Sequence, residues 1–265
     1  MEIEFDLNTS VDENAGIYFD LAKKAKRKLE GAKDALVDSR KKLVDLEKQD
    51  QKFWEKEKEK SQLKDRKREW YEKFHWFISS EGFLCIGGKD ATSNEIVVKK
   101  HTDKEDIVFH TDMAGSPFFV VKDGQKATEK TLNETAQAVG VYSRAWKLGH
   151  QTADVFYVKP EQVTKEAQSG EHLSKGSFMV MGKTLYLHPR LEYAIGLVEI
   201  KDSEGIVEKQ IIGGPITAVE SRTKNFVIVI PGKEKKSSLA KKIRGKLTTG
   251  DLDDIIKFLP AGGGD

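Results

Sequence analysis

Arg68 to Glu95 reads REWYEKFHWFISSEGFLCIGGKDATSNE, and the change of pattern inside it decides the fold. Upstream lies a lysine- and glutamate-dense stretch with no glycine or proline between Gly31 and Gly82. From Lys73 onward the apolar residues alternate. FHWFIS and FLCIGG read as short strands, joined by a turn at Ser79-Ser80-Glu81-Gly82. The stretch is therefore the junction between a helical arm and a sheet domain. Its rings, Trp70, Tyr71, Phe74, Trp76 and Phe77, mark the entry. Trp70, Phe74 and Phe77 are spaced to share one side and bury against the sheet, which would fix the arm's direction. Such burial stabilises by roughly 1.5–3 kcal/mol per ring.

Working upstream, Ala15, Ala22, Leu29, Leu36 and Leu43 recur every seven residues. Tyr18, Ala25, Ala32, Ser39, Leu46 and Phe53 follow three residues behind. This is a heptad pattern, and it predicts a coiled-coil helix from about Asp12 to Gln49, roughly 55 Å long. Its seam, Leu29, Leu36, Leu43 and Leu46, needs a partner helix. A return arm over Glu55–Glu69, with a tip near Gln49–Gln51, is one solution. Self-association of longer helices is the other, and the residues leave both open.

Downstream, DATSNEIVVKK suggests a helix capped by Asp90, Thr92 or Ser93. DIVFHT and PFFVVK read as strands around a loop at Asp112–Ser116. TLNE, Thr131 to Glu134, has capping-box spacing and would open an amphipathic helix reaching Leu148. Ala136, Val139, Ser143 and Trp146 would then line one face. DVFYVKP, GSFMVMG, KTLYLH, YAIGLVEI, VEKQIIG and NFVIVIP continue as strands, and SSLAKKIRGKL and DLDDIIKFL as short helices. The expected class is α+β: an N-terminal helical coiled-coil stalk, then a mixed, largely antiparallel sheet domain with helices. The expected divisions are residues 1–72, 73–190 and 191–265.

Composition narrows the function classes. The chain has 265 residues, 38% apolar, and no run approaching the roughly 20 apolar residues of a membrane span. Its acidic start, MEIEFDLNTS, lacks the basic opening of a signal peptide, so a soluble cytoplasmic protein is expected. The single cysteine, Cys85, excludes an intrachain disulfide and suits a buried small side chain. Net charge is only +2, but cations cluster at Lys23–Lys28, Lys64–Arg68 and Lys233–Lys246, and such patches set the field a polyanion meets.

Catalytic patterns are weak. His101, Asp103, Asp106, His110 and Asp112 have metal-compatible chemistry but no HExxH spacing. IGGKD lacks the Walker lysine-serine pair, and no GxSxG occurs. Neither enzyme activity, a metal nor a cofactor is expected. Aromatic and basic residues interleave in WYEKFHWF and YSRAWKLGH, a pattern suited to stacking and phosphate contact with RNA.

WYEKFHWFISSEGFLCIGGKDATSNE, DIVFHTDMAGSPFFVVK, TLNETAQAVGVYSRAW and DVFYVKPEQVTKEAQSGEHLSKGSFMVMGK, in that order, resemble the RNA-binding (NFACT-R) domain of the NFACT family. VDENAGIYFDLAKKAKRKLEGAK resembles the start of that family's middle coiled coil, and IIGGPITAVE with DLDDIIKFLPAGGG its archaeal tail. The resemblance implies ribosome-associated quality control: docking on an obstructed large ribosomal subunit, contact with tRNA, and other quality-control proteins as partners. It implies an antiparallel coiled-coil hairpin reaching the rRNA at the stalk base. The family's N-terminal and helix-hairpin-helix domains have no counterpart in this sequence, so tailing of nascent chains by this chain alone is not expected.

Carried over onto the matching motifs, the resemblance designates Lys89, Asp90 and Asn94 in and after GGKD. It adds His110, Asp112, Gly115 and Ser116 in HTDMAGS, and Ser143, Arg144 and Trp146 in YSRAW. Lys89, Arg144 and Lys165 would neutralise phosphates, His110 and Ser116 would hydrogen-bond RNA, Gly115 would admit the backbone, and Asp112 would orient His110. Trp146 falls on the apolar face of its helix, which also suits a core position.

Overall fold

The computed structural model describes residues 4–64, 69–166, 173–201 and 207–265, with residues 48, 49, 51–64, 201, 207 and 208 as backbone only. The chain divides into two units, Met1–Lys67 and Arg68–Asp265.

The first unit is built on α1 (Val11–Lys64), a single helix of 54 residues, about 80 Å long at 1.5 Å per residue. Its start is a capping box. Ser10 N–H donates to Glu13 Oε2 at 2.8 Å, and Glu13 N–H donates to Ser10 Oγ at 3.2 Å. The leader folds back on this turn, with buried Asn14 accepting from Asp6 N–H and donating to Thr9 Oγ1.

The expected return arm is corrected here: α1 runs unbroken through Gln49–Gln51. With no glycine or proline after Gly31, nothing interrupts the i to i−4 ladder. Leu29, Leu36, Leu43 and Leu46 are all more than half exposed, so the heptad seam has no partner within this helix. Phe53 and Lys64 lie among the backbone-only positions, and the rest of the Lys64–Arg68 run lies outside the described residues.

The second unit opens with a 3-10 turn, Trp70–Lys73, followed by β1 (His75–Ile78) and β2 (Leu84–Gly87). Gly82, at φ +92°, closes the hairpin by donating its N–H to the Ser79 carbonyl at 3.0 Å. Then come α2 (Ala91–Lys100), β3 (Ile107–Thr111), β4 (Phe119–Val121), α3 (Glu129–Tyr142) and α4 (Arg144–Lys147). β5 (Val155–Val158), β6 (Val163–Thr164), β7 (Met179–Val180) and β8 (Leu185–Leu187) follow. The chain continues with β9 (Tyr193–Lys201), β10 (Val207–Gly214), α5 (Ile216–Glu220), β11 (Phe226–Val229), α6 (Lys236–Leu247) and α7 (Leu252–Phe258).

The main sheet has six strands in the order β1-β2-β4-β3-β5-β8. A second sheet runs β10-β9-β11, and β6 pairs with β7. The class is α+β as expected, and every described strand pair is antiparallel rather than mixed.

Alternation along the strands builds two core layers. Cys85, Phe109, Phe119 and Val155 face one side with Ala136 and Val139 of α3. Ile86, Val108, Val120 and Phe156 face the other with Val97 of α2. The junction rings separate accordingly. Phe74 joins the α2 layer and Phe77 the α3 layer, while Trp70 is 45% exposed and stacks on His101 at 4.6 Å. They do not share one side, because Phe74 and Phe77 fall on opposite faces where the chain becomes extended.

A third core sets Tyr193, Ile195 and Val229 of the second sheet against α6 and α7, together with Val141, Ala145 and Trp146. Burial pushes the Cys85 thiol up to about 12.

The TLNE reading is corrected. α3 starts earlier, capped by Thr128. Buried Glu134 instead accepts from Ser80 N–H at 2.9 Å and from Thr217 Oγ1 at 2.7 Å, tying the β1–β2 turn to α5. Nor does the helix reach Leu148. Ser143 turns extended, donates its hydroxyl to the Gly140 carbonyl at 2.6 Å and caps α4 through Ala145 N–H.

Candidate nucleic-acid interface

One cavity of about 530 Å³ lies in the second unit where β1, β3, α2 and the end of α3 meet the 174–178 segment. Its position follows from close backbone approaches. A Cβ on Gly87 would run into the Phe119 ring, and one on Gly88 into the Asn94 side chain. The two glycines of IGGKD thus let strand and helix close on one another. On the far side Gly176, at φ +80°, brings its segment to within contact of Ala91. Lys165 fastens that segment: its Nζ donates to the Ser174 and Ser177 carbonyls, each at 2.9 Å, and pairs with Glu95 at 3.1 Å.

Lys89, Asp90, Asn94, His110, Gly115 and Ser116 all line this cavity, so the two motifs designated from the sequence converge. Their roles differ from the expected ones in places. Asp90 caps α2 by accepting from Ser93 N–H at 2.8 Å, and these Ser93 contacts hold its carboxyl below the usual range. Asn94 is 8% exposed, and its Oδ1 accepts from Phe118 N–H at 3.1 Å.

His110 stacks on Phe118 at 4.0 Å, with Nε2 3.3 Å from the Ser116 carbonyl. Burial lowers its pKa to about 4, so the ring is neutral at physiological pH. The Ser116 hydroxyl points inward, donating to the Met113 carbonyl at 2.7 Å. Asp112 does not orient His110; its carboxylate accepts from Tyr186 Oη at 3.0 Å. Gly115, at φ +85°, has open space beside it.

The remaining designated residues stand outside the lining. Trp146 is 2% exposed and donates its indole N–H to the Gly263 carbonyl at 2.6 Å, and Ser143 is the buried cap of α4. Arg144 is exposed on α4, and Lys165 is committed to the cavity wall.

Two thirds of the lining was not designated from sequence. His75 of β1 enters beside Tyr142, ring on ring at 3.7 Å. Burial, then the neighbouring Lys89 and Lys236 charges, lowers its pKa to about 3. Tyr142 is fixed in turn by Tyr193 Oη at 2.7 Å and the Phe258 carbonyl at 2.8 Å. Lys175 and Phe178 complete the far wall, with Phe178 edge-on to Phe118 at 5.3 Å. The Lys89 ammonium is held below the usual lysine value by loss of solvent and by Lys257. The interleaving of rings and basic residues in WYEKFHWF, which holds His75, and in YSRAWKLGH, which opens with Tyr142, hinted at this set.

Neutral imidazoles, ring faces and two rim lysines can bind a flat, hydrogen-bonding group attached to an anion. Among the described residues, no three His, Cys, Asp or Glu side chains converge as metal ligands. Nor is any described helix long and apolar enough to cross a membrane.

Residues 73–182, which contain this cavity, match the NFACT protein RNA binding domain. Over 214 residues the chain is 40% identical to the archaeal Rqc2 homolog aRqcH of Methanocaldococcus jannaschii, covering 78% of this chain and 31% of that protein. It is 36% identical over 198 residues to the ribosome quality control complex subunit NEMF homolog of Drosophila melanogaster, covering 74% and 20%. It is 39% identical over 182 residues to the human ribosome quality control complex subunit NEMF, covering 66% and 16%. The chain thus spans less than a third of the length of each of these relatives. Through its RNA-binding domain, the chain belongs to the NFACT family.

Proposed function

We propose that this chain is an RNA-binding module of ribosome-associated quality control, docking on the large ribosomal subunit or on tRNA through residues 73–182. The observation that carries the reading is the cavity itself: aromatic, neutral-imidazole and lysine-rimmed, and inside the matched RNA-binding domain. Exposed cations on α4 and α6, among them Arg144, Lys241 and Arg244, extend the positive surface of the same unit. The long helix α1 serves as a reaching arm toward the rRNA of the stalk base. The chain acts by binding, with no turnover of its own, in the cytoplasm where its target resides.

The test is co-sedimentation with purified large ribosomal subunits and filter binding to tRNA, at low and physiological salt. Binding should weaken steeply as salt rises, because each neutralised phosphate releases counterions. Lys89→Ala with Arg144→Ala should weaken it about tenfold at fixed salt, a change of about 1.4 kcal/mol. Binding insensitive to both salt and the double substitution counts decisively against the reading.

The exposed leucine seam favours a second reading, a protein-interaction surface for another quality-control protein or a second copy of the chain. Leu29→Glu with Leu36→Glu separates the two. Loss of a protein partner with unchanged RNA binding assigns the seam to protein contact.

A further inference from the structure

The cavity holds polar groups that the fold leaves unused. Among the described residues, neither ring nitrogen of His75 has a hydrogen-bond partner. The same holds for the amide nitrogen of Asn94, whose oxygen alone is engaged. Both residues line the cavity, and Asn94 is 92% buried as a residue (8% exposed). Among the described residues only Ser80 Oγ is a fully buried side-chain polar atom without a partner, so these nitrogens reach the solvent of the cavity, rigidly held and open to a ligand. His75 is clamped by its stack on Tyr142, and Asn94 by Phe118 N–H, so neither turns away.

We infer that this cavity takes one unpaired nucleotide of the bound RNA, its base inserted against His75 and Asn94 and its phosphate at Lys89 and Lys175. The inference rests on the RNA-binding reading and specifies what that reading leaves open. Its volume, about 530 Å³, falls in the range of roughly 300–1,000 Å³ typical of small-ligand sites. A neutral imidazole offers one N–H and one lone pair, and Asn94 adds an N–H donor. That set matches a base edge, which carries both donors and acceptors, and does not match a bare phosphate. Asp90 already occupies the first N–H groups of α2, so the anion is left to the lysines. A base in a duplex cannot enter, since its edge is paired and its faces are stacked; an extruded or single-stranded one can.

The experiment uses the whole chain and the four nucleoside 5′-monophosphates, followed by calorimetry or by amide shifts. Saturable binding is expected, weaker for the matching nucleosides that lack the phosphate. His75→Phe keeps the ring stack and deletes both nitrogens; it should weaken mononucleotide binding about three- to tenfold, as loss of a neutral hydrogen bond does. Ala114→Trp, on the exposed rim, fills the cavity and should abolish it even if the first variant proves unstable. An oligoribonucleotide with one unpaired residue should displace the mononucleotide, and its abasic counterpart should not.

No mononucleotide binding at millimolar concentration, with salt-sensitive RNA binding intact, overturns the inference and leaves the RNA-binding reading standing. Loss of both overturns both. Mononucleotide binding that ignores the two substitutions, or that unpaired RNA fails to displace, also overturns it, the last outcome assigning the cavity to a free nucleotide.

Discussion

Leu36 and Phe109 are both apolar residues in regular patterns, yet Leu36 is 55% exposed and Phe109 fully buried. Leu36 belongs to a helix whose period is satisfied by its own backbone and whose side chains await a partner. Phe109 belongs to a strand that acquires neighbours only when the chain folds back through β4 and α3. Local hydrogen bonding thus shapes the first unit, while contacts distant in sequence hold the second. A regular apolar pattern reports which face is offered and is silent on what covers it.

The contrast can be broken most forcefully in the sheet. Phe109→Ala should destabilise the second unit by about 3–5 kcal/mol in denaturant unfolding. Leu36→Ala should change it by less than about 0.5 kcal/mol. A comparable cost at Leu36 would reveal that the seam is covered in solution.

Glu134→Ala is next in size. It leaves the Ser80 N–H and the Thr217 hydroxyl without their acceptor, an expected loss of about 1–3 kcal/mol seen as a lower unfolding midpoint.

Acid should act on the second unit through His75 and His110. Both are neutral in the fold, with values near 3 and 4, while the unfolded chain protonates them near 6.5. The unfolded state therefore binds more protons as pH falls below about 6.5. Stability present at neutral pH is lost at up to about 1.4 kcal/mol per pH unit for each ring, until the folded rings titrate. The charges facing His75 are Lys89 and Lys236; His110 faces the Ser116 and Thr111 carbonyls and, more weakly, Asp112. His110→Phe should flatten the profile, and an unchanged slope would contradict the assignment.

The smallest effect belongs to the first unit. Ser10→Ala removes the cap of α1 at a cost of about 1 kcal/mol, visible as fraying of the first turn by amide exchange and not as global unfolding.

Much of this architecture was legible because strands and caps are local signals. The Ser79–Gly82 turn and the Asp90 cap stand where their residue types place them. The unread parts are those where a distant group competes for a local one. Glu134 has the spacing of a capping-box partner, but Ser80 and Thr217, 54 and 83 residues away, take its two oxygens. Ser143 looked like one more position on a helix face and instead ends the helix, because its hydroxyl reaches the Gly140 carbonyl.

The site shows the same division. GGKD and HTDMAGS were legible as motifs, while His75, Tyr142 and Lys175 join them only through strand register and the approach of the 174–178 segment to α2. Trp146 was designated with the YSRAW motif although its helix face also suited the core, and it lies in the core, its indole N–H held by the Gly263 carbonyl.

That indole gives the molecule a built-in optical gauge. Trp146 is one of four tryptophans, and its N–H is sealed by the Gly263 carbonyl. Drawing the Gly263 segment away from the indole would wet the ring and move part of the emission to longer wavelength. A fluorescence spectrum would then report, sample by sample, how much of a preparation still has that segment seated.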